Sequence, residues 1–218
     1  MAMLGWQVGM PAVASLGAAQ WIALICVVNP NYVPLPWHSA LMTIGSATAA
    51  ILLSVYVMQK LTLAEGMAVV AHCFGFVAFL AILWVMGPKT DAHQTFFNFD
   101  DLNGWGSYGV ASLVGVIGPA STFIGGDSAV HLAEELQDAS YVLPRAMVSG
   151  SVLNYVIGAI GLVSFMFNVR PLDDSIWAYN GQPWVAVIYR ITGSKAATIV
   201  MIIIVSINVS RRRQMLPL

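Results

Sequence analysis

Residues 107–146 read SYGVASLVGVIGPASTFIGGDSAVHLAEELQDASYVLPRA, and the middle of this stretch decides how the chain is built. Its first half is apolar; then Gly118-Pro119 and, more sharply, Gly125-Gly126-Asp127 interrupt the run. Two adjacent glycines in a helix interior cost about 1 kcal/mol each relative to alanine. An aspartate near the centre of a membrane helix costs about 2.5–3.5 kcal/mol by insertion scales. A helix that only crosses lipid has use for neither. The residues therefore predict a broken helix: the chain unwinds at about 123–126, and Asp127 or Ser128 caps a fresh half-helix reaching about residue 136. Unwound backbone at membrane depth survives only where it lines a cavity or is buried in protein. Free N–H groups at the new amino terminus make an anion site, and the free carbonyls of the first half accept from an ammonium. Together they suit a zwitterion such as an amino acid. The same residues permit a second reading, in which the glycine pair lets helices pack closely and Asp127 sits at the aqueous edge. Glu134, Glu135 and Asp138 read as the solvated end of the half-helix.

Working outward, the composition says what such a helix is embedded in. The 218 residues are 58% hydrophobic and 9% charged, against about 25% charged in soluble chains. Mean hydropathy is +0.77. So little charge cannot cover the surface of a water-soluble domain, and the same numbers exclude disorder. A net charge of −1 leaves no basic field for nucleic acid.

A bilayer core takes about 20 mostly apolar residues per helix. Six segments qualify: about 4–29, 39–58, 62–86, 108–136 with its break near 123–127, 144–169 and 193–208. Barrel strands would alternate over about ten residues, whereas these runs are continuously apolar. The predicted fold class is an all-α membrane protein with six transmembrane helices, one of them discontinuous. Pro30, Pro34 and Pro36 punctuate the first loop, and Gly87-Pro88 ends the third segment. Pro144 suits the first turn of the fifth. Residues 183–195, PWVAVIYRITGSK, read as a short interfacial helix, and 211–218 as a polar tail. The Lys/Arg distribution leans towards cytoplasmic termini: Lys60, Arg145, Arg211, Arg212 and Arg213 fall on that side, with Lys89, Arg170, Arg190 and Lys195 opposite.

Other polar residues have bland readings. Cys26 and Cys73 lie in apolar runs without CxxC spacing, so neither a metal site nor a disulfide is expected. His72, mid-segment, reads as a neutral imidazole bonded to a neighbouring helix or as a proton carrier. His131 shares a helical face with Asp127 and reads as part of a polar vestibule face. Gly5 and Gly9 fit close helix packing. Trp37, Trp84, Trp105, Tyr108, Trp177, Tyr179 and Trp184 fall near span ends and read as interface anchors. No Walker loop, HExxH or GxSxG appears, so enzymatic chemistry has no sequence support and no cofactor is expected.

The string FIGGDSAVHLAEELQDASYVLPRAM (123–147) resembles the sixth-helix region of the amino acid–polyamine–choline permease superfamily. There a small-residue break and an acidic residue precede a Glu-Glu pair and an (I/V/L)-P-(R/K)-A start to the next helix. LGWQ (4–7), NPNYVPLPWHSAL (29–41), HCFGF (72–76), FFNFDDLNGWGS (96–107) and GQPWVAVIYRITGSKAAT (181–198) are similar to the fungal amino acid, choline and GABA permease branch. The resemblance implies a transporter of twelve helices in two inverted five-helix repeats, the leucine-transporter-like arrangement, with broken first and sixth helices meeting at the midplane. The six segments match its third through eighth helices. Residues 1–210 would thus be a partial permease transmembrane domain, a truncated form lacking the partner of its broken helix.

Carried over residue by residue, the resemblance implies that Ser121, Thr122, Phe123, Ile124 and Gly125 face substrate. Phe123 would pack over it and Ile124 would contact its polar end. Gly126 continues the break, and Asp127 matches the acidic position after it, where helix capping and proton coupling both explain it. The implied activity is secondary active transport of an amino acid, choline or GABA-like molecule across a lipid bilayer, proton-coupled, in the plasma or vacuolar membrane. The alternative is a non-transporting membrane fragment that at most associates with a full-length permease.

Overall fold

A computed structural model describes residues 2–57, 61–98, 104–118, 130 and 138–212. Among these residues the chain is all-helical. The helices are α1 (Ala2–Val28), α2 (Pro36–Val57), α3 (Leu61–Ala81) continued by a π-helical turn (Ile82–Met86), α4 (Ala92–Phe97), α5 (Tyr108–Gly115), α6 (Ala139–Val169), α7 (Pro183–Thr192) and α8 (Lys195–Arg212), with a 3-10 turn at Asp174–Trp177. Pro11–Val28, Val69–Met86 and Ala139–Val169 are long and apolar enough to cross a membrane, with mean hydropathies of 1.9, 2.4 and 1.8. Lys195–Ser206 is a shorter apolar helix. Together with the wide exposure of large apolar side chains, such as Phe74, Val85 and Leu162, this is an all-α membrane protein.

The chain divides into two compact units, 1–88 with 168–218, and 89–167. In the first, α1 packs against α2 and α8, α3 against α8, and α7 against α8, the π-turn and the 3-10 turn. The reason lies in α1's spacing. Ala14, Ala18, Ile22 and Cys26 recur every fourth residue and are all buried, which is one face of a helix. Ala23 and Val27 extend that face to Val185 of α7 and Ile202 of α8, with Tyr179 and Trp184 packed on the cluster. Tyr179 and Trp184 are thus partly buried against this cluster.

Local chemistry sets the helix ends. Pro36 opens α2, its missing N–H falling where no intrahelical acceptor exists. His38 then supplies the back-bonding half of a capping box: its Nδ1 accepts the Leu35 N–H at 3.2 Å and pairs with the Tyr32 hydroxyl at 2.6 Å, imidazole taking the place usually held by Glu or Gln. The π-turn stops at Gly87, which is extended (φ −72°, ψ 136°) ahead of Pro88. Gly193 ends α7 in the left-handed region (φ 58°), its N–H bonding Tyr189 O at 2.9 Å. α8 consequently starts at Lys195 rather than 193, with Ser194 Oγ accepting the Ala197 N–H at 3.4 Å. α7 is amphipathic but does more than lie on a surface, because Val185, Ala186, Val187 and Ile188 are all buried.

In the second unit, Asp91 caps α4 by accepting the His93 N–H at 3.0 Å. Phe96 meets Phe167 edge-on at 5.7 Å, and Thr90 N–H donates to Phe167 O. α6 begins at Ala139, not at Pro144, which lies inside it. Asp138, at φ 53°, offers its carbonyl to the N–H groups of Tyr141 and Val142, so the first turn is nucleated five residues earlier. Arg145 stacks on the Tyr141 ring at 3.7 Å.

Candidate functional site

The expected substrate-facing residues, Ser121, Thr122, Phe123, Ile124, Gly125, Gly126 and Asp127, lie outside the described residues, as do His131, Glu134 and Glu135. What is described is the frame on either side. α5 leads towards the segment from residue 108, and α6 resumes after the left-handed Asp138, which is exposed.

Elsewhere the sequence-based candidates are less central. His72 is exposed on α3, and Gly9 has open space around it rather than a close helix neighbour. The helix contact that needs a glycine is instead at Gly75, where an added Cβ would meet the γ2 methyl of Ile204 on α8. Cys26 and Cys73 are both free thiols. Among the described residues no three His, Cys, Asp or Glu side chains gather as metal ligands.

The polar contact missed by sequence reasoning joins α1 to the segment ahead of α7. Gln20, 9% exposed in the middle of an apolar helix, donates from Nε2 to Gln182 Oε1 at 3.3 Å, and Asn180 Nδ2 reaches Ala19 O at 3.5 Å. Gln20 Oε1 is buried with no donor, an incomplete pairing that weakens the contact. Its signal was available: Gln20 is the one carboxamide in residues 11–28. Asn180 and Gly181 turn the chain there with φ of 52° and 66°, a conformation that asparagine and glycine tolerate. At the far end of α7, Arg190 binds the carbonyls that close α6, from Asn168 to Pro171. The chain is thus held at 180–182 and at Arg190, with Val185, Ala186, Val187 and Ile188 buried between them.

The model of the amino acid permease family matches residues 1–210. The swainsonine transporter of Arthroderma benhamiae is 27% identical over 207 residues, covering 91% of this chain and 39% of that protein. The choline transporter of Saccharomyces cerevisiae is 22% identical over 190 residues, covering 84% and 32%. Amino-acid permease 2 of Neurospora crassa is 29% identical over 158 residues, covering 71% and 29%. The chain therefore spans about a third of the length of the curated relatives it matches. No solved structure matches. A family model matching nearly the full length, together with an all-helical apolar chain, gives one conclusion: this integral membrane protein belongs to the amino acid permease family of the amino acid–polyamine–choline superfamily, a family of transporters rather than enzymes.

Proposed function

We propose that the chain forms part of a secondary active permease for amino acids or related amines, choline and GABA-like molecules included. Substrate would bind at a break in the helix spanning 108–136, against Ser121, Thr122, Phe123, Ile124, Gly125 and Gly126, in a leucine-transporter-like arrangement. Asp127 would follow the break as a helix cap, and a proton gradient would drive alternating access in the plasma or vacuolar membrane. Residues 1–210 would be the transmembrane domain and 211–218 a polar tail. The observation carrying this reading is the family match over residues 1–210. Relatives named for an amino acid permease and a choline transporter support the substrate class.

The test is uptake of radiolabelled amino acids, choline and GABA into proteoliposomes holding only this chain, with an imposed pH gradient. Gradient-dependent accumulation of any one of them would support transport by this stretch alone. Its absence for all of them leaves a second reading, a membrane protein that associates with a full-length permease without transporting. The exposed apolar side chains along α3 and α6, among them Phe74, Val77, Leu153 and Leu162, favour that reading, since such faces seat other spans as readily as lipid.

A further inference from the structure

Residues 29–38 read NPNYVPLPWH. Pro34 and Pro36 carry no N–H, so Leu35 supplies the single backbone donor of residues 34–36. That N–H is aimed at His38 Nδ1, 3.2 Å away, and the Tyr32 hydroxyl meets the same nitrogen at 2.6 Å. A backbone N–H can only donate, so Nδ1 carries its lone pair here and the ring proton sits on Nε2. The neutral imidazole is therefore the form that closes the start of α2.

The two contacts respond differently to a second proton on the ring. A tyrosine hydroxyl both donates and accepts, so it can turn about its C–O bond and accept from Nδ1–H. The Leu35 amide has no such freedom. In the imidazolium two N–H groups would face each other across 3.2 Å, and the amide loses its acceptor. The charge also falls in the first turn of α2, where the helix dipole is positive. The Trp37 and Tyr32 rings, with centroids 3.9 and 5.2 Å from the imidazole, act in the opposite sense by attracting a cation. These fields set how readily the proton is taken up, not which contact it breaks.

Competing charges are excluded by the sequence, since residues 1–59 hold no Asp, Glu, Lys or Arg. α2 packs on α1, and the α1 side chains that share a groove with His38 are Trp21, Leu24 and Ile25, none of which titrates. Cys26, the titratable side chain of α1, is buried beside Tyr179; that of the loop is Tyr32. The amino terminus lies at the far end of the 27-residue α1. His38 is thus the one side chain of this hairpin whose charge changes between about pH 5 and pH 8.

We propose that His38 is a pH-sensitive latch on the start of α2. Neutral, it holds the Leu35 amide and seats the loop on the first turn. Protonated, it keeps Tyr32 with the bond reversed and releases Leu35, so the loop and the first turn open. The latch is separate from the substrate break, and its assay reads one amide, so it stands or falls apart from the permease reading.

The experiment is amide exchange by NMR on the full chain in detergent micelles, labelled with ¹³C-carbonyl proline and ¹⁵N leucine. Selecting Pro–Leu pairs leaves signals from Leu35, Leu172 and Leu218, and a Leu35→Val chain identifies the first. Protection of the Leu35 amide, corrected for intrinsic exchange, should fall about fivefold between about pH 7.5 and pH 5, the loss of one hydrogen bond. Glutamine accepts the same N–H and never titrates. His38→Gln should therefore stay protected across the range, and His38→Ala should be unprotected throughout it. Should neither variant fold, the imidazole ¹⁵N shifts of the unaltered chain decide: Nδ1 should be unprotonated at neutral pH, with Leu35 released as it gains its proton. An Nδ1–H ring at neutral pH, Leu35 protection indifferent to pH, or the same fall in a folded His38→Gln protein each overturns the proposal.

Discussion

Arg190 Nη2 donates to the carbonyl oxygen of Asn168 at 2.8 Å, and the same nitrogen reaches those of Val169 and Arg170 at 3.0 Å. These carbonyls end α6, where the last four C=O groups lack intrahelical partners and the helix dipole is negative. One cation thus meets both needs. Arg190→Ala should destabilise the protein by about 1 kcal/mol, the low end of charged hydrogen bonds because the side chain is exposed. Arg190→Lys should recover only part, since an ammonium cannot reproduce the guanidinium fork. Thermal unfolding in detergent, followed by circular dichroism, checks both.

Gly87 sits where a side chain has no room. A Cβ there would run into Asn168 Oδ1 and into the carbonyl oxygen of Leu83 in the π-turn. Gly87→Ala should therefore cost about 1–3 kcal/mol, as overpacking of a filled site does. Adding Asn168→Ala should relieve less than half of that loss, because the Leu83 carbonyl belongs to the backbone and cannot step aside. Full rescue in the unfolding midpoints would show that the side chain was the whole obstacle.

Gly75 and Ile204 form the tight point between α3 and α8. Gly75→Ala should destabilise on its own, and Ile204→Ala should destabilise by loss of packing. Together they should cost less than the sum, with a coupling of about 0.5–3 kcal/mol. A double-mutant cycle that comes out additive would place the two helices farther apart than described.

Tyr179 packs against the α1–α7–α8 cluster. Burial, and then the neighbouring Tyr189 and Cys26, raise its phenol above the ordinary value of 10.0. The neutral form is the one the fold accommodates. Stability linked to it is intact below pH 10 and is lost as pH climbs towards the raised folded value. Tyr179→Phe should flatten the alkaline fall in stability, and difference absorbance should show one tyrosine fewer titrating late. An unchanged alkaline profile in the variant would refute the assignment.

What the sequence discloses is the solvent: 9% charge and long apolar runs dictate membrane helices whatever the packing. The helix end at Gly87-Pro88 was legible too, whereas Pro36, read as loop punctuation ahead of a helix at about 39, opens α2. Helix ends governed by tertiary context were not legible. Pro144 marks a first turn by local preference, yet Asp138 in a left-handed turn starts α6 five residues sooner; proline inside a membrane helix is tolerated where neighbouring groups absorb the lost bond. Tyr179 and Trp184 looked like interface anchors because amphipathic rings near span ends usually are. Their packing against the α1–α7–α8 cluster joins residues far apart in the chain, which a local window cannot reveal. Gln20 was legible as an anomaly in an apolar run, but its partner Gln182 is 162 residues away. Of the candidate site, the break at 123–127 rests on its residues and on the family.

Asp127 offers the sharpest division within the proposed mechanism. If it caps the half-helix after the break, asparagine should serve nearly as well, because both side chains accept the orphan N–H groups, while alanine forfeits about 1 kcal/mol. Asp127→Asn should then keep uptake and its dependence on the pH gradient within about twofold, and Asp127→Ala should lower the rate about fivefold. Initial rates in proteoliposomes between pH 5 and pH 8 separate the cases. A carboxylate that carries the proton cannot be replaced by an amide that never titrates. Loss of gradient dependence in Asp127→Asn, equal to that in Asp127→Ala, would therefore move this residue from capping to coupling.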